Sequence, residues 1–531
     1  MTTTETPVET GDDTAPEVSA SSGLAGILGS GDHKVIGRLF IGASLILGAL
    51  SAVALALGIL GNLGSGGLFA AEVNLRLFTA GQIGLVFGFA LPFFLGLAVL
   101  LVPLQVGASS VAFPRAAAMA LWVWLAGAIT MGVAVVIDGG IGGGNTRAVD
   151  LAFISMVMLL VGLLLGAVCV ATTALTLRAP GMTFDRVPMF AWSMVAAAGI
   201  SVLTWPVLMG NLILIRVDLV NGQTTFGSAG GQWAAIAWAF MQPQIYVLAI
   251  PVLGVLGDLI PSLADRRQPS RGVILAAIGA FAALSIGSWS QIIQLNGVWT
   301  GPFFVIVSFA IILPVLAAAG GWGSLLAQGK PRPSTPLVAA VVTLLLLLLG
   351  VIVGALFAVG PLDLQLLEVG ATGTPMAAVG QVGFVIAAVA AAAIAAAAWW
   401  APKISGGQMS AGLGGLGALA ALGGGVLWGL GLLLAGASTR FSGLEGALDA
   451  LVVVTALGMA LVAGALALGG LGLIGARGAS DDDPSGTGQT LEWATSSPPA
   501  LGNFAEVPAV TSAEPLSDLR GDGDDSGNED S

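Results

Sequence analysis

The chain has 531 residues, of which 56% are hydrophobic and only 9% charged, with a mean hydropathy of +0.97; soluble domains carry about 25% charged residues. The formal net charge of −12 arises mainly in the C-terminal tail, a basic surface for nucleic acid is absent, and the single cysteine, Cys169, excludes an intrachain disulfide and a CxxC metal site. An outer-membrane barrel would show alternating segments of about 10 residues. The apolar runs here are far longer, which predicts an all-α polytopic membrane protein.

In chain order, residues 1–31 are polar and acidic. They lack the basic start and apolar core of a signal peptide, so this segment is expected to be disordered and the first hydrophobic run to be retained as a helix. A helical span needs about 20 apolar residues. Twelve runs qualify: 35–61, 77–104, 117–137, 150–177, 188–215, 233–261, 272–294, 300–326, 336–360, 376–400, 408–437 and 447–475. They form a membrane domain over 32–477. With the N-terminus inside, thirteen of the 17 Lys and Arg residues fall on the cytoplasmic side, and only Arg76, Arg147, Arg216 and Arg440 fall outside. This matches the positive-inside rule and predicts a multi-pass protein of a bacterial-type cell membrane with both termini cytoplasmic. Residues 478–531 form a tail with twelve acidic residues from Asp481 onward against one basic residue, Arg520. Such a composition predicts a mostly disordered segment. The 79 glycines and alanine runs such as 390–398 permit close helix approach.

Several short motifs, in order and on the matching helices, carry a resemblance. They are Asp32-His33-Lys34-Val35-Ile36-Gly37 before the first helix, Leu101 to Ala108 with Val111 to Arg115 between the second and third, and Met182-Thr183 with Val187 to Trp192 at the fifth. Trp400-Ala401-Pro402-Lys403 ends the tenth, and Thr490 to Pro499 lies in the tail. The segment Gln242-Pro243-Gln244-Ile245-Tyr246 resembles a His-Pro-Glu-Val-Tyr signature. Together these motifs resemble heme-copper oxidase subunit I, the bacterial cytochrome c oxidase type, from about Asp32 to Pro515. The resemblance implies a twelve-helix subunit I-like bundle that would ordinarily hold heme and copper.

Carried over position by position, the resemblance implies that the metal ligands are absent. Gly81 follows Thr79-Ala80 where the family has a heme histidine, and Gly380 and Val382 stand at the other two heme positions. Gln242, and Gln291 with Ile292 after Trp289-Ser290, stand at the copper positions. Amides are poor substitutes for imidazole at iron or copper. The proton-route positions are Ser110, Ala117, Ala118, Gln244 and Ala318, the last following Pro314. Tyr246, the only tyrosine, matches the family's active-site tyrosine, and is read as an interior aromatic with a hydrogen-bonded hydroxyl. Arg440 resembles a heme-propionate partner, and is read as an outer-surface charge. His33 is read as a surface residue before the first helix, and no heme is expected on His33, Met241 or Tyr246.

Gln82, Gln242, Gln244, Tyr246, Gln291, Gln294 and Gln381 therefore form the candidate polar site, with no catalytic or metal-binding residue assigned. Amides inside a membrane must find partners, and each interhelical bond is worth about 0.6 kcal/mol. The preferred reading is a hydrogen-bonded plug joining the sixth and seventh helices. The alternative is a neutral pocket for a quinone, lipid or other small molecule.

The function expected is a non-catalytic structural or assembly subunit of a respiratory-type membrane complex, a pseudoenzyme. Its expected partners are the bilayer and other oxidase-type membrane subunits, without nucleic acid. Two other readings stand beside it: a transporter or channel for a neutral solute, and a terminal oxidase with non-standard ligands. No cofactor is expected, heme and copper entering only under the last reading.

Overall fold

The computed structural model describes residues 26, 29–61, 63, 69–141, 143–223, 232–269, 271–287, 301–359, 362, 364, 368–369, 375–438, 445–478, 483 and 486–519. For 232–235, 238, 240–244, 301, 304, 357 and 445 it describes the backbone alone.

Among the described residues, twelve helices follow the twelve apolar runs. They are α1 His33–Leu60, α2 Ala71–Val106, α3 Pro114–Val136, α4 Thr146–Thr176, α5 Met189–Asn221 and α6 Gln232–Ala264. The remainder are α7 Arg271–Gly287, α8 (Gly301–Ala310 continued by Ile312–Gln328), α9 Thr335–Phe357, α10 Met376–Ser405, α11 Ala411–Ala437 and α12 Leu448–Ile474. Eleven of them are long and apolar enough to cross a membrane; α7 is shorter, and the end of its expected run, 288–294, lies outside the described residues.

Local sequence sets the helix starts. The Asp32 carboxylate accepts from Lys34 N at 3.0 Å ahead of α1, and Asn145 accepts from Arg147 N and Ala148 N ahead of α4. Proline occupies the first turn of α3 and α9, where its missing N–H costs nothing.

The helices are apolar on all faces, so packing rather than patterning divides interior from lipid side. α1 packs on α2 and α12, α3 to α6 follow one another around the bundle, and α9 to α12 close it. The membrane parts of α2, α6 and α10 are almost wholly buried, whereas only 33% of the corresponding residues of α3 are buried. Exposed Leu50, Ile129, Leu203 and Ile306 suit a lipid-facing exterior. Midway, α2 widens into a π-helical segment, Gly84–Ala90.

The starts of α1 and α5 and the ends of α2, α6 and α10 share one face with the tail, here termed the tail face. The acidic composition of 478–531 points to solvated chain, yet the part within 486–519 lies across this face. Leu491, Glu492 and Trp493, in a short 3-10 turn, are buried there.

Candidate functional site

The interior site rests on three central helices. Tyr246 of α6 is 2% exposed and sets its ring edge-on to Phe281 of α7, with centroids 5.9 Å apart. Gln381 of α10, 1% exposed, donates from Nε2 to the Tyr246 hydroxyl at 3.5 Å, a long hydrogen bond. α9 seals this pair: a Cβ on Gly354 would collide with Gln381 Nε2 and lie 2.8 Å from the tyrosine oxygen.

Gln82 of α2 is buried just before the π-helical segment, and its Oε1 has no hydrogen-bond partner among the described residues. Such segments recur at functional sites. Gln242 and Gln244 lie on α6, but their side chains are outside the described residues, as are Gln291 and Gln294 entirely. The expected amide bridge between α6 and α7 therefore falls outside the described residues. Among those described, the polar contact joins α6 to α10.

The positions matched to heme ligands are helix crossings. A Cβ on Gly81 would lie 2.8 Å from both N and Cα of Leu55 on α1. One on Gly380 would lie 2.8 Å from the Gly429 carbonyl oxygen and 3.1 Å from Leu433 N on α11. Both contacts are with backbone, so relief would require moving a helix. Val382 is buried, and among the described residues no three His, Cys, Asp or Glu side chains gather as a metal cage. Heme iron takes an axial donor such as imidazole, thiolate, thioether or phenolate. Gly81, Gly380 and Val382 offer none, and the two glycines leave no room for one, so these positions do not fit heme. At the copper positions the Gln242 side chain, Gln291 and Ile292 lie outside the described residues, as does Arg440.

A second polar constellation, missed as a unit by the sequence reading, occupies the tail face. Asp258 of α6 accepts from Met189 N at 2.7 Å and Phe190 N at 3.0 Å, so it caps the first turn of α5 from a different helix. Gln105 of α2 donates to Asp258 at 3.0 Å and to Glu492 at 3.4 Å. Glu492 is fully buried and also accepts from Trp400 Nε1 at 3.0 Å and Thr490 Oγ1 at 2.7 Å. Burial pushes its carboxyl above the usual range, against these hydrogen bonds. Lys403 of α10, also fully buried, donates to the carbonyls of Thr495 at 2.6 Å and Ser496 at 3.3 Å.

His33 corrects an expectation. It is not a surface residue but is 1% exposed, because the tail covers the start of α1. Its Nδ1 lies 3.0 Å from the Val99 carbonyl oxygen, and its Nε2 lies 3.1 Å from Oδ1 of Asn503. Asn503 also accepts from Lys34 and donates to the Ala108 carbonyl. The signal in the sequence was the motif pair 400–403 and 490–499, whose charged members interrupt otherwise apolar or small-residue stretches. The arrangement docks the tail and positions helix ends.

Comparison with known proteins agrees with this architecture. Residues 35–487 match the family model described as cytochrome C and quinol oxidase polypeptide I. A Streptomyces coelicolor protein named as a cytochrome c oxidase subunit 1-beta is 30% identical, across 92% of this chain and 89% of its own. Cytochrome c oxidase subunit 1 of Corynebacterium diphtheriae is 30% identical, over 63% of each chain. A heme-copper terminal oxidase dimer solved by cryo-electron microscopy superposes with a TM-score of 0.63 at 13% identity, over 83% of each chain, which speaks to fold alone. A helical bundle with the interior on α2, α6 and α10, and a family match over most of its length, place this membrane protein in the subunit I family of the heme-copper oxidases.

Proposed function

We propose that this chain is a metal-free member of its family. It retains the scaffold, has given up oxygen reduction and proton transfer, and serves as a structural or assembly subunit of a respiratory-type complex in the cell membrane. Its partners are other oxidase-type membrane subunits. The membrane domain is 32–477, with both flanking segments on the cytoplasmic side.

The observation that carries this reading is the pair of backbone crossings at Gly81 and Gly380. Loss of a ligand by substitution alone leaves a cavity, into which another donor could reach. Here α1 and α11 occupy that space, so the helix packing itself opposes a macrocycle ligand at these positions. The residues at the proton-route positions agree, since Ala117 and Ala318 are buried apolar residues, whereas proton relays in membranes use ionisable side chains.

The test is a visible spectrum of the detergent-purified full chain, oxidised and then dithionite-reduced, with iron and copper analysis. The expected outcome is no Soret band and metal far below stoichiometry. A Soret band with stoichiometric iron would overturn the metal-free reading. Affinity purification from membranes that recovers no oxidase-type subunit would overturn the structural role.

A further inference from the structure

A cleft of about 550 Å³ opens on the tail face, between the α8–α9 connection, the end of α10 and the start of α11, with the docked tail as one wall. Its size is that of small-molecule sites, about 300–1,000 Å³. Lys330 and Arg332 line it and are exposed, and neither makes an ion pair with any described residue. Among the described residues Asp265 is the one acidic residue in the lining, so these residues carry one net positive charge. The N-terminus of α9 also faces this space. Ser334, its capping residue, makes no side-chain cap, and its buried Oγ has no hydrogen-bond partner among the described residues. An uncapped helix start presents a partial positive charge to an anion, and Thr335 is the lining residue of this turn that keeps its N–H, Pro336 having none. The remaining wall includes Trp399 and Trp493, packed edge-on at 5.2 Å; the Trp493 Nε1 is buried and likewise unpartnered.

We propose that this cleft binds a phosphate group, Lys330, Arg332 and the α9 N-terminus holding its oxygens and the tryptophans covering its apolar neighbour. One net positive charge matches a phosphodiester. The cleft lies at the ends of α8 to α11, where membrane helices meet the headgroup layer and tryptophan is enriched. A phospholipid headgroup is therefore the source that fits, and free phosphate is the other source of the same chemistry. The inference does not depend on the metal content of the bundle.

The test uses the full chain in detergent, titrated with phosphatidylglycerol and separately with inorganic phosphate, and read by native mass spectrometry. The expected result is one tight phosphatidylglycerol per chain, weakened at least tenfold in a Lys330→Ala/Arg332→Ala double variant. An Arg147→Ala variant, outside the cleft, should bind as the wild type does. Because Lys330 and Arg332 are exposed, the double variant should keep the wild-type melting temperature, and that measurement accompanies the titration. Saturable, Lys330- and Arg332-dependent binding of inorganic phosphate without retained lipid would assign the site to free phosphate. Equal binding by wild type and double variant, or binding of neither probe, would overturn the proposal.

Discussion

At the scale of single residues, two kinds of position carry most of the structural meaning. Gly81 and Gly380 are crossings where a methyl group has nowhere to go. Overpacking a tight interior costs about 1–3 kcal/mol. Gly380→Ala should therefore lower the melting temperature in detergent, and Gly81→His should lower it further without generating a Soret band when heme is supplied. A heme-loaded Gly81→His variant with wild-type stability would show that α1 yields easily. Glu492 is the other kind. Its raised carboxyl binds a proton more tightly in the folded state than in the unfolded chain. Its contribution is complete below the ordinary value of 4.5 and is lost as pH rises through the elevated folded value. Stability of the wild type should thus decline with rising pH over this range. Glu492→Gln keeps an acceptor for Trp400 and Thr490 and should flatten the decline, while also removing the charge that Asp258 faces across Gln105. Identical pH profiles of melting for the two proteins would exclude Glu492 as the origin.

At the scale of elements, the tail is the part whose composition misleads most. Acidic residues dominate 478–531, yet Leu491, Glu492 and Trp493 are inserted between helix ends and Lys403 holds the following carbonyls. On the bundle's side the same contacts are met by His33, Gln105 and Trp400, drawn from α1, α2 and α10. Arg267, beyond the end of α6, pairs with Asp518 near the end of the described tail. Trp493→Ala should cost about 3–5 kcal/mol, the usual range for deleting a buried tryptophan. Lys403→Met should cost about 1–3 kcal/mol by leaving buried carbonyls unpaired. Hydrogen exchange across 486–519 checks both: faster exchange there, with α3 and α4 unchanged, is the expected pattern. Uniform loss of protection through the bundle would mean that the tail is not a separable element.

At the scale of the whole molecule, the alternation of basic residues and the twelve helices make a prediction about orientation. Cys169 is fully buried, so the native chain should give little background with membrane-impermeant maleimides. A cysteine placed at Arg147 should be labelled from outside intact cells, and one placed at Arg115 only after the membrane is opened. The reverse pattern would invert the topology.

The sequence by itself determined the class, the number and order of the helices and the family, because a bilayer requires long apolar runs and leaves their lengths and flanking charges readable. Through the family resemblance it also pointed to Gly81, Gly380 and Val382 as the positions matched to heme ligands. What became of the space was decided only in the tertiary structure. Whether a glycine opens a cavity or admits a neighbouring backbone depends on residues far away, here Leu55 and Gly429. The burial of Asp258, Glu492, Lys403 and His33 was equally illegible. Charged residues near helix ends look solvated until the chain that covers them, hundreds of residues later, is seen in place.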